Sequence, residues 1–358
     1  MNEGVFIETT DPRWAAQLSV SPHDLYHLPA YATLEADWTG ARAIAFLYRE
    51  NRANMLLVLL EKSLPGGEGT DVVTPYGYSC PVMSPGSDAA FLQRALIAYH
   101  NAARDRGILT TFMRLHPLLA PEIENPPQLP CGSWVQEQRG ATLAMPLDGD
   151  EHTFLRHMAS GHRADVRRLS NANARLVIDT ADVWNAFPDI YRHTMEKVGA
   201  SAGYYYSDDY IGKLRRELDG IVHCVGIADK DGELMCAALF TEVGPILQYH
   251  LSGTAEGYTR QAPMKMLLAG MRDWAVDRRI SWFHLGGGLG GARDSLYYFK
   301  QKFGGPEFPF RTVSIVHDNE QYNAHVARLA RVQNVDLTKK CSFFPRYRAP
   351  DLTGQNQP

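Results

Sequence analysis

Twice along the chain, apolar strand-like segments joined by a polar turn lead into a long amphipathic helix and then a further strand. This recurrence constrains the fold more than any single motif. In the first half, 41–48 and 54–60 flank the polar run Arg49-Glu50-Asn51-Arg52 and read as a hairpin. Over 88–106, Phe91, Ala95 and Tyr99 recur every fourth residue, with Leu92 and Leu96 widening the same helical face. Gly107 stops that helix and 108–115 alternates as a strand. In the second half, strands are expected at 221–228, 234–241 and 246–252, the first two joined by the turn Asp229-Lys230-Asp231-Gly232. A helix over 261–279 and a strand over 280–285 follow, so the order repeats although no letter-by-letter repeat is visible.

The pattern predicts a mixed α/β fold with α+β character, built as two copies of one architecture. At 358 residues the chain has room for two domains, expected at 1–149 and 150–350, with a central groove between them where a ligand would bind. The remaining expectations are a helix opened by Ser21-Pro22 and running to 34, and a Gly/Pro-rich stretch over 65–86. The proline-rich segment 117–130 reads as a connection. Further helices are expected at 151–169, 187–198, 208–218, 295–303 and 319–330, with strands at 174–178 and 310–316.

Charge and cysteine usage exclude several classes. With 36 basic and 40 acidic residues, net −4, the chain lacks the basic surface of a dedicated DNA binder. Five scattered cysteines without a C-x-x-C point to a reduced compartment, expected to be the cytoplasm, and against structural zinc. The apolar run 55–60 is too short to span a bilayer, and Met1-Asn2-Glu3 does not begin a secretory leader. No histidine spacing matches a metal site.

Several segments carry residues suited to chemistry. In His284-Leu285-Gly286-Gly287-Gly288-Leu289-Gly290-Gly291, consecutive glycines permit close approach of a ligand to backbone N–H groups, and Asp294 and Lys300 follow. The same string also fits a plain structural turn. Phe299 and Phe303 share a face with Lys300 at its border, where its charge would favour a phosphate or a developing oxyanion; an exposed helical lysine is the alternative. In 248–254, strand alternation places Tyr249 and Leu251 on one face and His250 and Ser252 on the other. A splayed or bulged strand there would offer N–H groups to a carbonyl oxygen, leaving Tyr249 or His250 to handle a proton.

In the first half, Thr74-Pro75-Tyr76-Gly77-Tyr78 reads as an ordered binding loop. Arg114 and His116 are expected to meet the same groove, against the alternatives of a core turn and a surface ion pair. Arg163, Arg167 and Arg168, with His162, form the one dense basic patch, fit for phosphate or an ordinary solvated face. Tyr204-Tyr205-Tyr206 would line an acyl or aminoacyl pocket, Tyr206 being the candidate carried forward, or else pack between domains.

Taken in order, Phe187, Tyr191, Thr194-Met195, the tyrosine run, Tyr249 to Thr254, His284 to Gly288 and the segment from Asp294 through Phe299-Lys300 to Phe303-Gly304 resemble the Fem-type branch of the GNAT-like acyltransferases. The likeness is strongest over 150–310 and reaches the first half through 74–78 and 114–118. The resemblance implies tandem GNAT-like domains and transfer of an amino acid from aminoacyl-tRNA to an amine, forming an amide or peptide bond. It implies that Lys300 lies near the reacting carbonyl or donor phosphate, and that Tyr249 to Ser252 lie beside the acyl group.

On this reading no cofactor or metal is used, charged tRNA is the cosubstrate, and the acceptor is an amine-bearing small molecule or peptide. Arg163, Arg167, Arg168 and Arg260 would receive donor phosphate. The proton acceptor is left open between the substrate, His250 and water. Acyl-CoA is the alternative donor, disfavoured because the turn Arg260-Gln261-Ala262-Pro263-Met264-Lys265 lacks glycine and its proline removes an N–H. A non-catalytic ligand-binding module is the other alternative.

Overall fold

The structure, a computed structural model, describes residues 3–123, 126–148, 154 and 156–354. The chain forms two compact units, residues 1–138 with 310–358, and residues 139–309. The first begins with β1 (Glu3–Glu8), α1 (Pro12–Leu18) and α2 (Pro29–Thr39). It continues through β2 (Arg42–Glu50), β3 (Ala53–Ser63), β4 (Thr70–Val73), β5 (Val82–Met83), α3 (Ala89–Asp105) and β6 (Ile108–Arg114). β2 and β3 form the expected hairpin, with Asn51 at φ 55 in its turn. The helix expected from Ser21 is instead a 3-10 turn at Leu25–His27 followed by α2, because Leu28 stays extended ahead of Pro29. α3 turns Phe91, Leu92, Ala95, Leu96 and Tyr99 into the core against Phe46, Leu57 and Leu59.

The second unit takes the later part of β7 (Ser133–Pro146), then α4 (Ser160–Asn171), β8 (Arg175–Ile178), α5 (Ala181–Val198) and α6 (Asp208–Glu217). β9 (Val222–Ala228), β10 (Leu234–Val243), β11 (Ile246–Thr254), α7 (Met264–Asp277), β12 (Trp282–Gly286) and α8 (Ser295–Gln301) complete it. Of the helix expected over 151–169, residues 151–153 and 155 lie outside the described residues, as does the expected domain division at 149/150. Leu267, Leu268, Met271 and Ala275 of α7 pack on Val225, Phe240, Leu247 and Phe283.

The chain then returns to the first unit with β13 (Glu307–Val316), α9 (Asn319–Gln333) and α10 (Pro350–Thr353). Thr312 to Val316 pair antiparallel with Arg114 to Thr110 of β6. The sequence order had placed this strand and helix with the second half. Their pairing partners put them in the first.

Strand order in the first unit is β1-β2-β3-β4-β6-β13 and in the second β8-β9-β10-β11-β12-β7. In both, one parallel pair spanned by the long helix, β4 with β6 and β11 with β12, sits among antiparallel neighbours. The duplication read from the sequence is therefore present in the topology.

Candidate functional site

The two parallel pairs differ in one respect that bears on chemistry. In the first unit the chain leaving β4 stays bonded to β6, through Thr74 N–H to Phe112 O at 3.0 Å and Ser79 N–H to Arg114 O at 2.9 Å. In the second, β11 pairs with β12 only from Ile246/Trp282 to Gln248/His284, although β11 runs on to Thr254. Beyond Gln248 the two strands part. A buried polar chain marks the fork: Thr142 Oγ1 is 2.9 Å from His284 Nε2, and His284 Nδ1 is 2.5 Å from Gln248 Oε1. Gln248 in turn donates to the Tyr249 carbonyl at 3.0 Å. His284 is wholly buried with both ring nitrogens engaged, so it braces the strands.

On its other side β11 carries a bulge. Leu251 opposes Leu239 and Tyr249 opposes Phe240, leaving His250 as the extra residue. The bulge inverts the expected alternation: Tyr249 and Leu251 lie on opposite faces, and Tyr249 shares a face with Ser252, donating to its Oγ at 2.5 Å. Tyr249 packs on the core beside Phe240, with ring centroids 5.5 Å apart, and burial pushes its phenol well above the ordinary range. It is a proton donor and not a base at neutral pH.

Lys300 lies over that ring, Nζ 5.6 Å from the centroid, and donates to Gly287 O at 2.7 Å. It is 7% exposed. Burial pulls its pKa down to about 8, partly opposed by the charge of Asp294. No second acceptor holds the ammonium among the described residues. Asp294 caps α8, accepting from Tyr297 N–H at 2.8 Å, and also takes Leu289 N–H at 2.9 Å, closing the glycine loop on the helix. The loop tolerates no side chain at Gly288, where a Cβ would lie 2.2 Å from Ala292 O and 2.4 Å from Asp294 Oδ1. The structure thus brings Lys300, Tyr249, Ser252 and the Gly287 carbonyl together at the fork, with Asp294 supporting the loop.

His162 is the residue sequence reasoning undervalued. From α4 it reaches Phe299 O at 3.2 Å and packs edge-on against Phe303 at 4.9 Å, while Ala159 N–H donates to Lys302 O at 2.8 Å. Its neighbours Arg163 and Arg168 are tied to partners within the unit: Arg163 donates to Met158 O, and exposed Arg168 to Asp165 at 2.8 Å and Gln261 O at 2.9 Å. The last contact sets Arg168 on the turn that bears exposed Arg260, while Arg167 is exposed on α4. Lys265, in the first turn of α7, pairs with Asp165 at 2.5 Å.

Tyr206 is buried on the α5 side of the unit, stacked on Tyr210 at 4.3 Å. In the first unit, Thr74 is buried and accepts Arg114 N–H at 3.2 Å; Tyr76 takes Glu35 on its N–H and Tyr31 on its carbonyl. Arg114 lies over Phe112, and half-buried Tyr78 contacts Tyr26, His116 and Phe310 edge-on. His116 is fully buried and donates from Nε2 to Asp24 at 2.9 Å.

No family model and no curated protein matches the chain by sequence. Solved structures do match its fold. FemX superposes with a TM-score of 0.67 at 13% identity, over 92% of this chain and 99% of FemX. L-PGS from Bacillus licheniformis gives 0.53 at 12% identity, over 86% and 92%, and a conserved protein of unknown function from Bacteroides thetaiotaomicron gives 0.52 at 9%, over 88% and 100%. The chain shares the mixed α/β fold of these structures. The superposition on FemX agrees in fold with the Fem-type resemblance read from the sequence.

Proposed function

We propose that the chain is an N-acyltransferase, and specifically an aminoacyl-tRNA-dependent aminoacyltransferase that forms an amide or peptide bond on an amine-bearing small molecule or peptide. The observation that carries this reading is the buried Lys300 ammonium, with one of its protons on Gly287 O, facing a bulged strand that has parted from its parallel neighbour. The amine attacks the carbonyl of the activated ester. The negative charge that develops on the carbonyl oxygen is met by Lys300 and by β11 N–H groups beyond Gln248, in a place where water is scarce and a preformed charge acts strongly. The ester oxygen leaves with the electron pair, and the proton lost by the amine passes to the substrate, His250 or water. Tyr249 orients Ser252 and lies under the ammonium.

The choice of charged tRNA over acyl-CoA is supported by the first turn of α7. Pro263 has no N–H, and those of Lys265, Met266 and Leu267 already bond back to Ala262 and Pro263 carbonyls. Lys197 donates to Thr259 at 2.9 Å and Arg168 covers Gln261 O, so the turn is closed on itself instead of presenting a row of donors to a diphosphate. Exposed Arg167 and Arg260, together with Arg163 and Arg168, would meet the donor's phosphates singly. Tyr76, Tyr78 and Arg114 are proposed as substrate-binding residues of the first unit. The fold match to FemX and L-PGS supports the Fem-type reading on which this choice of donor rests.

A donor-by-acceptor screen read by mass spectrometry tests the proposal. Product from charged tRNA that disappears on ribonuclease treatment supports it. Turnover with acyl-CoA alone would replace it with the CoA-dependent reading, and tight ligand binding without any transfer would leave a binding module.

A further inference from the structure

A cavity of about 540 Å³ opens on the second unit between α5 and α6, lined by Tyr191, Tyr205, Tyr206, Arg192, Asp208 and Asp209 together with Ser207. Two of its lining rings, Tyr191 and Tyr206, belong to a ladder that runs back to the buried Phe187 and Tyr210. Phe187 stacks on Tyr191 at 5.7 Å, Tyr191 lies 6.3 Å from Tyr206, and Tyr206 stacks on Tyr210 at 4.3 Å, with successive planes tilted by only 22° to 31°. The ladder is held in place: the Tyr191 hydroxyl donates to Tyr204 O at 2.8 Å, and Ser207 caps α6 by accepting Tyr210 N–H at 3.1 Å. Tyr205, half-exposed, completes the wall from the loop.

The mouth is acidic on balance. Arg192 is held between Asp189 and Asp208, each at 2.7 Å, and Asp209 has Lys213 at 3.3 Å, so three carboxylates face two cations. An aromatic lining behind a mouth of net negative charge suits a cation with apolar surroundings better than an anion or a neutral acyl chain. We propose that this cavity recognises an organic ammonium group. As a statement about binding it stands without the transfer reaction; assigning the ammonium to a substrate rests on the reading above. In that reaction both partners carry one: the α-ammonium of the aminoacyl donor and the amine of the acceptor in its resting, protonated form.

Titration with tetramethylammonium chloride at constant ionic strength, followed by saturation-transfer NMR and calorimetry, tests the binding directly, with tert-butanol as the neutral probe of similar shape. Tetramethylammonium is expected to bind in the millimolar range and tert-butanol at least about 5-fold more weakly, the scale of one exposed cation–ring contact plus a carboxylate. Tyr205→Leu and Asp209→Asn should each weaken the cation by roughly 2- to 5-fold while leaving thermal unfolding unchanged. Equal binding of the two probes, or cation binding unaltered in both variants, would overturn the proposal.

In a transfer assay, Tyr205→Leu should raise KM for one substrate only. A rise for the acceptor assigns the cavity to the acceptor amine, and a rise for the donor that vanishes when the donor's α-amine is acetylated assigns it to the donor. Unchanged KM for both removes it from the reaction. Failure of transfer altogether leaves the probe titration intact, so the two readings fail separately.

Discussion

At the residue scale, Lys300 sets function against stability. Keeping an ammonium in a buried site with one hydrogen bond lowers its pKa from 10.5 to about 8, so the folded chain binds this proton less tightly than the unfolded chain does. The depression makes the charged form a liability at neutral pH, on the order of 3 kcal/mol before relaxation. The penalty is relieved as pH rises through about 8, and the contribution levels off above 10.5. Lys300→Met should therefore leave the melting temperature at pH 7 unchanged or raised, while turnover falls by about 100-fold or more. A melting temperature lowered in step with activity would make Lys300 a structural residue. In the parent protein the rate should decline above about pH 8 as Lys300 loses its proton, and the residual rate of the variant should lack that alkaline limb.

At the scale of the element, the bulge in β11 and the seating of α8 decide where reactive groups point. Deleting His250 would regularise the ladder with β10, keep Tyr249 and Ser252 on one face, and lose the re-aimed backbone. Turnover should drop at least tenfold, whereas His250→Ala, which keeps the bulge, should retain most of it. The reverse ranking would assign the role to the imidazole. His162 acts on the same centre from α4. His162→Leu leaves the Phe299 carbonyl short of a donor, at a cost of about 1–3 kcal/mol, and loosens the helix that carries Lys300. We expect kcat to fall about tenfold and the alkaline limb to move, with partial recovery in His162→Gln, which can restore the N–H. A change in stability with an unmoved pH profile would confine His162 to packing.

At the scale of the molecule, the first unit is completed by chain that leaves it and returns. Arg348 binds Asp71 through two guanidinium nitrogens, and Tyr347 donates to the same carboxylate at 3.0 Å while 2.7 Å from Thr110 Oγ1. Asp71 is 5% exposed, so breaking the pair strands a charge. Arg348→Met should lower unfolding free energy by about 3 kcal/mol, measured by urea titration, and Asp71→Asn by a similar amount. If both variants unfold like the parent, the C-terminal segment is not part of that unit's stability.

Much of this organisation was legible in the sequence because it is local. The hairpin of β2 and β3, the amphipathic faces of α3 and α7, the β9–β10 turn and the glycine loop before Asp294 arise from contacts a few residues apart, which periodicity and turn chemistry report directly. The candidates Tyr249 and Ser252 come from the strand segment 248–254, and Lys300 from the border of the helical face shared by Phe299 and Phe303 and from the Fem-type resemblance. Three features depended on partners far along the chain. β13 belongs with β6 because Thr312 to Val316 find their hydrogen bonds there. Tyr249 faces Ser252 because β10 opposes β11 with one residue to spare, which alternation within β11 cannot reveal. Lys300 is buried over Tyr249 with Gly287 O as its acceptor, and desolvation there, partly opposed by Asp294, pulls its pKa down to about 8. Composition and periodicity set which elements form. Long-range pairing and desolvation, which no window of sequence contains, decided which side chains meet and what charge they hold.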